Sequence, residues 1–135
     1  MPQIRRSREL PPVTLAEDEL RYVAGLLDGL GALRTFVRGN GQEVVRLTVG
    51  NLRADQVQRL RDGFGVGSQR GAVSATGRGL TWAVEGRWAC LHVGNKVLPY
   101  LPQSSPLWRD LVTLRITAIS SPAEAVAHGS ARSRR

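Results

Sequence analysis

Arginine is the chemistry that this sequence holds in quantity: 18 of its 19 basic residues are Arg, and the formal net charge is +8. A guanidinium is a planar fork that matches pairs of phosphate oxygens and also reaches guanine edges, so an anionic polymer with readable grooves suits it best. A coding bias toward Arg would give the same totals, so position has to decide. Residues 32–38 alternate, with Arg34, Phe36 and Arg38 on one side and Leu33, Thr35 and Val37 on the other. Gly39-Asn40-Gly41 then signals a hairpin turn, because Gly and Asn tolerate positive φ. The return strand, Glu43 to Val49, sets Val45, Leu47 and Val49 inward and Val44, Arg46 and Thr48 outward. Arg34, Arg38 and Arg46 therefore share one solvent face of a two-stranded ribbon, whose width fits a major groove. Gln69 and Arg70, within the Gly-rich stretch 65–73, are further residue types able to read bases.

Other chemistries are thinly supplied. The single Cys90 cannot pair within the chain, and Cys90 with His92 falls short of a structural zinc set, so Cys90 reads as a small core residue. No apolar run reaches the roughly 18 residues of a membrane span, and residues 1–12 have no stretch of signal-peptide length. A cytoplasmic protein is expected. Part of the charge sits at the ends: Arg5, Arg6, Arg8 and Glu9 give +2, Glu124, Arg132, Arg134 and Arg135 another +2, and +4 remains for the body. Residues 1–13 read as a basic flexible arm, 14–119 as one domain, and 120–135 as a basic flexible tail.

The elements that must carry these side chains follow from periodicity. Thr14 and Glu17 form a capping-box pattern, so a helix should run from about Leu15 to Leu30. Ala24, Gly25, Asp28 and Gly29 make a nearly bare helix face. Each Gly there costs about 1 kcal/mol against Ala, which calls for close approach of a second backbone. A short helix is expected from Ala54 to Asp62, closed by Gly63, with a second turn at Ala75-Thr76-Gly77. Leu80, Trp82 and Val84 alternate toward a core, which makes Trp82 a packing residue. Helices over Gly86–Val97 and Ser105–Thr117 complete the chain, the last capped by Ser104 or Ser105 with Pro106 in its first turn. The order is α-β-β-α-β-β-α-α: an α+β fold whose four-stranded antiparallel sheet has its helices on one face.

Val23-Ala24-Gly25-Leu26-Leu27-Asp28-Gly29-Leu30-Gly31 resembles the LAGLIDADG motif of homing endonucleases. Phe64-Gly65-Val66-Gly67-Ser68, Leu80 to Gly86 and Lys96 to Leu101 follow in the family's order and spacing. The resemblance implies that motif helices pair as a seam and that two sheets form a saddle over double-stranded DNA. One copy of the motif implies a homodimer. By position it implies Arg34, Arg38, Arg46, Gln69, Arg70 and Arg78 as groove-facing residues. The family's metal-binding acid precedes the last Gly of the motif, and here that position is Leu30, which has no oxygen to offer Mg²⁺. Asp28 matches an acid of the helix-pair contact instead. The Lys that often follows the Pro-aromatic-Leu of the third helix is missing from Pro102-Gln103-Ser104-Ser105, and only Asn51 stands near the family's water-positioning residue. The reading is a sequence-specific DNA-binding protein without cofactor that has lost cleavage. Its alternatives are an active Mg-dependent DNA endonuclease, alone with Asp28 as ligand or with a partner subunit, and an RNA-binding intron maturase.

Overall fold

Every second residue of 45–49 and 80–84 is apolar, and in the computed structural model, which describes residues 10–120, these positions form one face of a sheet buried under helices. The order is α1 (Glu17–Leu30), β1 (Gly31–Val37), β2 (Glu43–Leu52), α2 (Ala54–Phe64), β3 (Ser68–Gly71), β4 (Leu80–Glu85), α3 (Arg87–Val97), a 3₁₀ turn (Leu98–Tyr100) and α4 (Pro106–Ser120). All pairings are antiparallel, in the spatial order β1-β2-β4-β3. This is the α+β architecture the sequence implies. Of the expected arm and tail, residues 1–9 and 121–135 lie outside the described residues. Among the described residues no helix is long and apolar enough to cross a membrane.

Local chemistry shifts several boundaries. Thr14 does not cap α1, because its N–H donates to the Gly63 carbonyl at 2.9 Å and ties the incoming segment to the end of α2. The chain stays extended to Ala16, and Glu19 reaches back to accept the Ala16 N–H at 3.1 Å. Gly63 is buried rather than terminal, with Leu15 lying where a Cβ would go. The αL residue that ends α2 is Gly65, whose N–H donates to the Arg61 carbonyl at 2.8 Å. Ser105 precedes α4 as expected, but its buried hydroxyl makes no hydrogen bond, so Pro106 and the Ser105 carbonyl start that helix without a side-chain cap.

The core centres on Trp82. It is fully buried, stacks on Phe64 with ring centroids 5.6 Å apart, and donates its indole N–H to the Val66 carbonyl at 3.1 Å. Trp82 is thus a packing residue with its polar atom satisfied. Cys90 is equally buried, and burial pushes its thiol up to about 12, so it carries no thiolate chemistry. From α1 only Val23, Ala24 and Leu27 enter the core.

Candidate nucleic-acid interface

The sheet has a second face, and strand register decides what it carries. Arg34 lies opposite Arg46 across β1 and β2, Arg46 lies opposite Glu85 across β2 and β4, and Arg70 lies opposite Thr81 across β3 and β4. Since side chains alternate, Arg34, Phe36, Val44, Arg46, Thr48, Thr81, Ala83, Glu85, Ser68 and Arg70 all project away from the helices. Val44 and Ala83 are buried there although they stand outside the main core, so the polar layer has a small apolar floor. Arg38 joins the group from the hairpin. Its N–H donates to the Gln42 carbonyl at 2.8 Å and its carbonyl accepts the Gly41 N–H at 2.9 Å, closing the tight turn.

Glu85 holds this layer together. Its Oε1 accepts from Arg38 at 2.9 Å, and its Oε2 accepts from Arg46 Nε at 2.8 Å, from Arg46 Nη2, and from Arg70 Nη2 at 3.2 Å. The Arg46 and Arg38 guanidiniums also stand 4.6 Å and 5.8 Å from the centre of the Phe36 ring. Hydrogen bonding from Arg46, reinforced by the charges of Arg38 and Arg70, holds the Glu85 carboxyl below its ordinary value of 4.5. A lowered folded-state value means that the contribution of Glu85 to stability is complete above 4.5 and disappears as pH falls through the folded value. Between pH 5 and pH 3 the wild type should therefore lose more stability than Glu85→Gln, measured as urea midpoints. Equal losses would mean that the three contacts have no weight in solution.

Most groove-facing residues expected from the sequence converge here, but two do not. Gln69 lies opposite Trp82, on the helix side of the sheet, because a strand turns neighbours to opposite faces and Arg70 takes the outer one. Arg78 leaves the strand layer altogether, at the turn before β4, where its Nη1 lies 3.5 Å from the Asn51 carbonyl. Asn51 itself is exposed and left-handed at φ 56°, in the irregular stretch of β2 between Val49 and Leu52. Phe36 lies on the strand face where alternation puts it, while Glu85 is the contributor that residue-by-residue reading passed over. The alternation that buries Leu80, Trp82 and Val84 also turns Glu85 outward, and that was the available signal.

The second surface runs along α1. Tyr22, Gly25, Gly29 and Leu30 are exposed, with Tyr22 and Leu30 each at 43%, and no atom lies within 4 Å of a Cβ added at Gly25 or Gly29. Asp28 is exposed beside this stripe. Ala24, expected on the same face, is instead 1% exposed and packs inward with Val23 and Leu27, one position being enough to turn a helical residue by about 100°. Leu30 ends α1 where the backbone carbonyls point out, and Gly31 follows so closely that a Cβ would come within 2.6 Å of the Leu27 carbonyl oxygen. The residues present do not fit a divalent cation at this end of the helix. Leu30 is aliphatic and has no oxygen donor to offer.

No protein-family model and no curated protein sequence matches the chain. Solved structures do match. The homing endonuclease I-TnaI aligns at a TM-score of 0.61 and 20% identity over 84% of this chain and 79% of its own. The homing endonuclease I-CvuI, solved in complex with the I-CreI target in the presence of Mg, gives 0.55 and 20% over 73% and 69%. The LAGLIDADG homing endonuclease I-GzeII, in complex with its DNA target, gives 0.61 and 11% over 89% of this chain, which spans only 41% of that one. With this element order, sheet topology and exposed Gly-bearing first helix, the chain has the fold of the LAGLIDADG homing endonucleases.

Proposed function

We propose that this chain is a sequence-specific double-stranded DNA-binding protein that acts as a pair of copies joined along α1 and has lost DNA cleavage. The observation that carries the reading is the outer sheet face, where three arginines, Arg38, Arg46 and Arg70, bond one carboxylate on an antiparallel scaffold and a fourth, Arg34, stands opposite Arg46. Such a face supplies phosphate contacts for affinity and base-edge contacts for choice. Leu30 supports the second half of the reading, since it puts an aliphatic group where the related nuclease motif has its metal acid. A twofold pair would present two copies of the face and should select a site with matching half-sites. Selection from a random duplex library tests this: enrichment of one near-palindromic sequence is expected, while no enrichment, or stronger enrichment from an RNA library, would remove the reading.

Affinity for duplex should also fall steeply with salt, each phosphate contact adding about 0.9 to the slope of log K against log salt. Removing residues 1–9 and 121–135, which carry a net +4, should lower that slope and leave the selected sequence unchanged. Loss of sequence preference together with the ends would place recognition in them rather than on the sheet.

A further inference from the structure

A carboxylate at the centre of a DNA-binding face needs a reason. For phosphate contact alone Glu85 is a cost, since it cancels one positive charge and repels the backbone. It nevertheless bonds guanidiniums from three parts of the sheet: Arg38 at the end of the first hairpin strand, Arg46 on β2 and Arg70 on β3. The donors are unequally committed. Arg46 gives Glu85 both Nε and Nη2, which uses one whole edge of its fork, and its side chain is the least exposed of the three at 30%. Arg38 and Arg70 each give a single Nη2 N–H and are 45% and 50% exposed. Each keeps further guanidinium N–H donors on a half-exposed side chain. Arg34, on the same face, has no ion pair among the described residues.

The geometry points to Glu85 as the specificity-determining positioning residue of the sheet. It clamps Arg46 as an internal post and holds Arg38 and Arg70 by one N–H each, so that their free guanidinium edges are aimed at guanine O6 and N7 in a major groove. This deepens the DNA-binding reading and rests on it. An untethered Arg can follow any phosphate, whereas a tethered one is already ordered when the right base edge arrives. The same carboxylate opposes phosphate where no guanine compensates. Glu85 therefore acts on the ratio between target and non-target affinity rather than on affinity itself. Arg34, without an acid to aim it, serves phosphate.

The test uses the full chain, the duplex that it selects and a scrambled duplex, with binding followed by fluorescence anisotropy across salt. Glu85→Gln should bind the scrambled duplex more tightly, raise the salt slope by about 0.9, and lower the target-to-scrambled ratio roughly tenfold or more. Glu85→Asp keeps the charge but withdraws it by one methylene, so it should keep the wild-type slope and still lose ratio. Arg70→Ala should relax selection at a single base pair per half-site, while Arg34→Ala should weaken both duplexes alike. A ratio held within about twofold in both Glu85 variants overturns the inference, as does equal relaxation by Arg34→Ala and Arg70→Ala. Should Glu85→Gln fail to fold by circular dichroism, Glu85→Asp and the two Arg variants still decide. If the wild type enriches no duplex at all, it is the DNA-binding reading that fails, whereas an enriched site with unmoved ratios sinks this inference alone.

Discussion

Supercoiled plasmid incubated with the purified protein and Mg²⁺ or Mn²⁺ will stay supercoiled. Metal-assisted phosphodiester hydrolysis needs a cation held beside the scissile phosphate and a water activated by it. At the end of α1 the side chain available to hold a cation is Leu30, which is aliphatic and 43% exposed. The helix C-terminus adds about half a negative charge, which attracts a cation but cannot complete its oxygen shell. In the proposed pair joined along α1, this end would carry Leu30 from both copies. Leu30→Asp changes the balance in a measurable way. Two carboxylates brought together at two helix C-termini repel, so the variant should melt below the wild type in EDTA. Mg²⁺ or Ca²⁺ should then restore part of the loss, by about 2.7 kcal/mol at a hundredfold excess over the dissociation constant. An unchanged melting curve with and without metal would show that this position does not face a shared site. Specific cleavage by the unmodified protein, abolished by Asp28→Asn, would make Asp28 the ligand and reverse the reading of cleavage as lost.

Much of this site was legible before the structure because it depends on period-2 and period-3.6 patterns. Alternation placed Arg34 and Arg46 on one strand face, and their opposition across the first hairpin is what the Gly39-Asn40-Gly41 turn enforces over a short sequence distance. Gly25 and Gly29 stood out because two glycines weaken a helix unless something approaches them. Glu85 lay beyond that reach. Its partners come from 15, 39 and 47 residues away, and they meet only because β4 inserts between β2 and β3. No local pattern contains that adjacency.

The misplacements have the same origin on a smaller scale. Gln69 and Ala24 are each one position from a residue assigned to the right face, and one position is half a strand repeat or about 100° of helix. The stretch 65–73 gave no alternation to count, since β3 is only four residues long and glycine interrupts both its ends. At the start of α1 the Thr14–Glu17 pattern competed with Ala16–Glu19, and a tertiary hydrogen bond from Thr14 to Gly63 decided between them. Sequence spacing offers two caps there, and only the position of α2 selects one.

If the proposed pair forms along α1, leucine at Gly25 should break it while leaving each copy folded, which separates an interface role for α1 from a structural one. Within the protein Gly25 is exposed and a Cβ there meets no atom within 4 Å, so a side chain starts into open space. Replacing a mid-helix Gly with Leu instead favours the helix, by somewhat under 1 kcal/mol. The single copy should therefore hold or gain stability. In a symmetric pair the added side chain appears twice, and each intrusion into close helix packing costs about 1–3 kcal/mol. The dimer constant should then weaken by roughly 30-fold at the least, read by analytical ultracentrifugation or light scattering over a concentration series. Ala24→Leu provides the contrast. Ala24 is 1% exposed in the core, so that change should lower the unfolding midpoint before it touches association. Duplex binding by Gly25→Leu should fall as well, because a single sheet face keeps only half of the contacts to a two-part site. If the wild type is a monomer at every accessible concentration, or Gly25→Leu associates as well as the wild type does, the exposed stripe of α1 is not the seam and the twofold site model goes with it.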